Sequence, residues 1–185
     1  LLLGYSNLAK KKLIKIFIKN KIRFCVASIS QNKKIFGAYE QFQSYDEGLK
    51  KSSADIVYIS LPNSLHYAWA KKALELGYHV IIDKPICDSL EKTKNLINIA
   101  KKYKRLLSEA VFFDYHKQIQ TALKLSGGTK NIKYINANFI IPKPKKNDFR
   151  NSKKLKGGAL MDMGCYASSI AAIFCSKKII TKKVI

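Results

Sequence analysis

Val57–Pro85, VYISLPNSLHYAWAKKALELGYHVIIDKP, decides the fold. Val57–Ser60 is an apolar run of β-formers stopped by Pro62 and Asn63. Ser64–Gly77 carries Leu65, Trp69, Ala73 and Leu76 at helical spacing, and Gly77 is a natural helix terminator. His79–Ile82 is a second apolar run. Strand, helix and strand in this order form a βαβ unit with parallel, neighbouring strands. Ligands of such sheets sit outside the carboxyl ends of the strands. Those ends carry Leu61-Pro62-Asn63 and Asp83-Lys84-Pro85. Pro85 biases Lys84 toward an extended backbone, which fixes an ammonium at the rim where a ligand would lie. In a lysine-rich chain, the competing reading is one more solvated lysine.

Working outward, Leu1–Leu3 ends a strand, and Gly4-Tyr5-Ser6-Asn7-Leu8-Ala9 opens a helix through about Ile18. This follows G-x-G-x-x-G/A with Ser6 at the second glycine, a turn that brings backbone and helix N–H groups to a pyrophosphate. A plain turn capped by Ser6 or Asn7 would read the same way. Ile22–Ile29 is the next strand; its end, Ala27-Ser28-Ile29-Ser30, lacks the Asp or Glu that usually binds an NAD ribose. Ser28 with Lys33 or Lys34 could meet a 2′-phosphate, which tilts the choice toward NADP over NAD. Gln31–Gln41 and Asp46–Lys51 read as helices. Asp88–Tyr103 reads as a helix capped by Asp88 or Ser89, with Leu90, Leu96, Ile97 and Ala100 inward. Leu106–Glu109 is a strand ending in a carboxylate, so three successive strand ends carry Asn63, Lys84 and Glu109. Tyr115–Leu125 reads as a helix, Ile132–Ile141 as a strand and Ile179–Val184 as the start of another.

The pattern Pro62-Asn63-x-x-His66, the ending Ala73-Leu74-x-x-Gly77-x-His79-Val80, and Asp83-Lys84-Pro85 resemble the Gfo/Idh/MocA family of NAD(P)-dependent oxidoreductases. Two departures stand out: Asp83 replaces the family's usual Glu, and Asp114 stands where Arg is usual, before Tyr115-His116. Glu109-Ala110 matches the family strand that lies beside the nicotinamide. Gly157-Gly158-Ala159-Leu160-Met161-Asp162-Met163-Gly164-Cys165-Tyr166, led by Phe149-Arg150, matches a second signature. Asp162 and Tyr166 lie four apart, on one face of a helix.

The resemblance implies a Rossmann-type doubly wound parallel sheet over residues 1–111 and the start of an α+β domain over 112–185. It implies hydride transfer between a nicotinamide and a sugar or cyclitol secondary alcohol. Lys84, Asp162 and Tyr166 would be catalytic, with Arg150 beside them for substrate. Gly4, Ser6, Asn7, Leu8, Ser28, Leu61, Pro62, Asn63, His66, Asp83, Lys84, Pro85 and Glu109 would line the cofactor. In this reading the Asp162 carboxylate polarises the Tyr166 phenol, and Lys84 favours the phenolate. Family members continue into a large antiparallel sheet that often forms the dimer interface. The expectation is therefore a shortened chain that associates only if that sheet is completed.

The net charge is +23, yet Arg occurs only at 23, 105 and 150 and the lysines are spread along the chain. A specific nucleic-acid surface would cluster its charge and interleave aromatics. Cys25, Cys87, Cys165 and Cys175 show no metal-ligand spacing, and the expectation is reduced thiols in a cytoplasmic protein. No apolar run spans a membrane. A Cys87–His66 nucleophile has no third orienting group in the sequence. A catalytically inactive nucleotide-binding remnant or interaction module remains the main alternative.

Overall fold

The computed structural model describes residues 1–146 and 148–175. The strand expected at Ile179–Val184 lies outside them. Six strands form one parallel sheet: β1 Leu2–Leu3, β2 Cys25–Ala27, β3 Glu40–Phe42, β4 Ile56–Ile59, β5 His79–Asp83 and β6 Leu107–Ala110. Their order is β3-β2-β1-β4-β5-β6. β1 pairs with both β2 and β4, so the winding reverses at the centre of the sheet. That reversal opens the crevice at the carboxyl ends where parallel sheets bind ligands.

A two-residue strand holds the centre because both of its faces are covered. Leu3 packs with Ala27, Ile59, Val80 and Ile82 on one face, and Leu2 packs with Val26, Tyr58, Ala9 and Leu13 on the other. Alternation of side chains along each strand feeds the two layers. Backbone amides extend the ladder past the strand, from Tyr58 to the Leu1 carbonyl and from Ser60 to the Leu3 carbonyl.

A π-helical turn, Ala9–Leu13, runs into α1, Ile14–Lys19. α2 is Tyr45–Lys51, α3 Asn63–Glu75, α4 Leu90–Lys102, α5 Lys117–Leu125 and α6 Ala159–Phe174. α3 buries Asn63, His66, Ala70, Ala73 and Leu74. Its stripe is rotated from the expected one, so His66 takes an inner position and Leu76 is exposed. α4 is capped by Ser89, whose hydroxyl accepts from the Lys92 amide. Only Leu96 and Ala100, one turn apart, are buried on it; Leu90 and Ile97 face outward, against expectation.

Two expected elements do not form. Of Gln31–Gln41, residues 31–39 form an irregular loop leading into β3, which takes in Glu40 and Gln41. The Gln41 side chain holds that loop by donating to the Gln31 and Lys33 carbonyls and accepting from the Ile35 amide. These bonds replace those a helix would have supplied. Ile132–Ile141 runs without strand pairing among the described residues, and Ile140 is 91% exposed. β-branched residues favour a strand only where a neighbouring strand accepts the ladder. Among the described residues, no helix is long and apolar enough to cross a membrane.

Candidate active site

Gly4 leaves β1 with φ +95 and donates its amide to the Ala27 carbonyl. A Cβ at this position would lie 2.3 Å from the Ser60 carbonyl oxygen, so the turn passes tight against the end of β4. Ser6, Asn7 and Leu8 follow, with Asn7 and Leu8 exposed. No acidic residue stands in the first turn of the helix, and Lys10, Lys11 and Lys12 follow. Free amides and positive charge fit an anionic pyrophosphate here. The Ser6 hydroxyl accepts from the Ala9 amide at 3.1 Å and lies 2.7 Å from the Ser60 hydroxyl.

At the end of β2, Ser28 is only 1% exposed and lies beneath the surface. Ser30, Asn32, Lys33 and Lys34 are exposed polar residues of that loop, whereas Ser28, the expected 2′-phosphate contact, is buried.

The strand-end loops hold one another. His66, 0% exposed, has Nε2 2.8 Å from the Leu61 carbonyl and Nδ1 2.8 Å from the Pro85 carbonyl. It therefore positions both loops, and the expected cofactor contact from its ring is not available. Asp83 accepts from Tyr58 and Ser60 with its two oxygens. Glu109 accepts from the Ile86 amide at 2.8 Å and so braces the segment after Pro85. The Asn63 amide group donates to the Lys156 carbonyl at 2.8 Å, tying α3 to the segment before α6. Leu61 is buried, whereas Pro62 and Pro85 are half-buried at the rim.

Lys84 is 18% exposed and Asp162 11%; their side chains pair at 2.6 Å. The Lys84 ammonium also donates to the Asp162 backbone carbonyl. The other Asp162 oxygen accepts from Arg150 Nε at 2.9 Å, and Arg150 also pairs with Asp148. The Lys84 ammonium lies 5.0 Å from the centre of the Tyr166 ring. That ring stacks on Phe139 at 5.3 Å and meets Phe113 edge-on at 5.4 Å. Lys84, Arg150, Asp162 and Tyr166 thus meet in one cluster, from the end of β5, the segment before α6, and α6.

The wiring differs from the expectation in two respects. The Asp162 carboxylate turns to Lys84 and Arg150, because two cations nearby outcompete a phenol one turn away on the same helix. Tyr166 is not pushed toward the phenolate. Burial raises its pKa, with Cys165, Asp162 and Asp83 adding to the rise and Arg150 opposing it. Burial also pushes the Asp162 carboxyl up, but hydrogen bonds and charge from Lys84 and Arg150 together hold it below its ordinary value of 3.8. Burial pushes the Cys87 thiol up to about 11, which removes a Cys87 nucleophile at neutral pH. Asp114, in a short turn Phe112–Tyr115, has one buried oxygen without a hydrogen-bond partner among the described residues, and burial raises its pKa.

A depressed carboxyl pKa contributes stability above the unfolded-state value and loses it as pH falls through the folded value. Between about pH 5 and about pH 3, the urea midpoint of the wild-type chain is therefore expected to fall more than that of Asp162→Asn. Parallel pH profiles would mean that the Lys84–Asp162–Arg150 array adds nothing to folding.

A doubly wound sheet with a glycine turn at its switch point has the architecture of a dinucleotide-binding domain. The chain belongs to the Gfo/Idh/MocA oxidoreductase family, which has an NAD-binding Rossmann fold; residues 5–111 match it. It is 28% identical over 184 residues to dTDP-3,4-didehydro-2,6-dideoxy-alpha-D-glucose 3-reductase of Streptomyces violaceoruber, covering 95% of this chain and 54% of the relative. It is 33% identical over 135 residues to D-xylose 1-dehydrogenase (NADP(+)) 2 of Haloferax volcanii, covering 72% of this chain and 42% of that protein. Among solved structures it resembles KijD10, a 3-ketoreductase from Actinomadura kijaniata in complex with NADP and TDP-benzene. The TM-score is 0.84 at 28% identity, covering 94% of this chain and 56% of that one. The chain spans about half the length of the curated relatives it matches.

Proposed function

We propose that the chain is the nucleotide-binding and catalytic part of an NAD(P)-dependent oxidoreductase that interconverts a sugar or cyclitol ketone and its secondary alcohol. The observation that carries the reading is the cluster at the carboxyl end of β5, where the Lys84 ammonium stands 5.0 Å from the centre of the Tyr166 ring. When bound, the nicotinamide supplies or accepts the hydride. The Gly4–Leu8 turn would hold the pyrophosphate, and Ser30, Lys33 and Lys34 offer donors for a 2′-phosphate. With no carboxylate at the end of β2, NADP is the favoured nucleotide.

Lys84 has three N–H donors, two of which serve Asp162. Among the described residues the third meets no acceptor, and it would serve the oxygen on the reacting carbon, where positive charge stabilises a developing alkoxide. Asp162, itself held by Arg150, sets the direction of that ammonium. The raised pKa of Tyr166 keeps its proton at neutral pH, which suits a donor to the alkoxide formed on ketone reduction. The ketoreductases among the relatives agree with that direction.

Titration of NADPH and NADH, followed by nicotinamide fluorescence, tests the first half of the reading. Binding of NADPH in preference to NADH is expected. Binding of neither would overturn it. Turnover of keto-sugars with the bound nucleotide tests the second half. Nucleotide binding without turnover in the complete gene product would instead favour an inactive remnant.

A further inference from the structure

An unbroken line of hydroxyl and carboxyl groups runs beneath the glycine turn. Ser6 Oγ lies 2.7 Å from Ser60 Oγ, Ser60 Oγ donates to Asp83 Oδ2 at 2.6 Å, and Tyr58 OH donates to Asp83 Oδ1 at 2.5 Å. The directions of these bonds follow from the proton count. A carboxylate only accepts, so the single Ser60 proton goes to Asp83. In the Ser6–Ser60 contact, Ser60 must therefore accept and Ser6 must donate. The remaining lone pairs of Ser6 receive the Ala9 amide at 3.1 Å. The hydroxyl proton of Ser6 is thus committed inward and cannot reach a phosphate oxygen.

We propose that Ser6, Ser60 and Asp83 form a positioning line that locks the nucleotide turn after β1 to the end of β5 next to Lys84. Ser6 acts on the nucleotide through the shape of the turn, not by touching it. A serine hydroxyl here replaces the freedom of the usual glycine with a fixed anchor. The line ties the pyrophosphate turn to the backbone that carries the reacting lysine, so the two ends of the nucleotide site keep one spacing. Tyr58 closes the line from the far side of Asp83; burial, then the charge of Asp83 and its hydrogen bond, push the Tyr58 pKa far up, so it remains a donor.

The inference rests on the nucleotide reading above. NADPH dissociation constants are measured by fluorescence for the wild-type chain, Ser6→Ala, Ser60→Ala, the double variant and Ser6→Thr. Urea midpoints for each identify the folded population. Ser6→Ala and Ser60→Ala are each expected to raise Kd about 3–10-fold, and the double variant no more than about twofold beyond the larger single, because groups in one line are not additive. Ser6→Thr, which keeps the hydroxyl, is expected to bind within about twofold of wild type. If Ser60→Ala does not fold, Tyr58→Phe removes the other Asp83 donor and is expected to couple to Ser6→Ala in the same way. A loss in Ser6→Ala with none in Ser60→Ala would mean that Ser6 touches the nucleotide directly. Effects that multiply in the double variant, or lowered midpoints with Kd unmoved, would also overturn the line. Failure of the wild-type chain to bind NADPH would overturn the nucleotide reading and this inference with it. Wild-type binding that no variant alters would overturn this inference alone.

Discussion

Replacing Lys84 with methionine is expected to lower turnover by about 10²–10⁴-fold, the scale of lost acid–base and charge assistance at a reacting oxygen. Methionine keeps the length and apolar stem of lysine while removing its charge and its donors. The reacting oxygen then loses the Lys84 ammonium, and Tyr166 must manage the proton without it. Nucleotide affinity is expected to change by less than about tenfold, or about 1.4 kcal/mol, because the pyrophosphate contacts come from the Gly4–Leu8 turn. Stability is expected to fall by about 1–3 kcal/mol, since one Asp162 oxygen and its carbonyl lose their donor. Arg150 still holds the other oxygen, which limits the loss. Turnover and Kd measured on the same preparation separate these effects. Unchanged turnover, or a loss wholly in nucleotide affinity, would remove Lys84 from the reacting centre.

The parts of this chain legible in its sequence are those dictated by local pattern. Val57–Pro85 alternates period and punctuation strongly enough that β4, α3 and β5 fall close to where the residues place them. Strand ends are legible because a parallel sheet puts every carboxyl end on one edge, so Asn63, Lys84 and Glu109 lie along that edge. What each of these side chains does there was not legible. Asn63, His66 and Glu109 all turn to backbone groups of neighbouring loops. Those acceptors and donors are distant in sequence, and no spacing rule encodes them. The Asp162–Tyr166 spacing is correct for one helix face, but a same-face neighbour loses to cations arriving from elsewhere. Gln31–Gln41 departs from its helical pattern for a related reason: one glutamine side chain satisfies the loop backbone that a helix would otherwise satisfy. The run Ile132–Ile141 has strand composition, but strand formation needs an edge to pair with, and composition carries no information about that.

The tightest point of the architecture yields the second large effect. Gly4→Ala is expected to destabilise the chain by about 2–5 kcal/mol, combining backbone strain with overpacking. The strain arises because φ is +95, where an L side chain meets its own carbonyl. The overpacking arises because the added Cβ would stand 2.3 Å from the Ser60 carbonyl and 2.7 Å from Leu61 Cδ2. Backbone of β4 must then shift, and with it Ser60, the contact to Ser6 and the start of α3. Gly128→Ala supplies the control: its φ is +96 and a Cβ there meets nothing within 4 Å. It carries the strain without the clash and is expected to cost about 1–2 kcal/mol. The difference between the two urea-unfolding energies therefore isolates the close approach of the glycine turn to β4. NADPH affinity is expected to fall in Gly4→Ala, even at temperatures where the chain remains folded, and to stay at the wild-type value in Gly128→Ala. Equal costs for the two substitutions would mean that the turn does not press against Ser60, and the tight seat for the pyrophosphate would be lost with it.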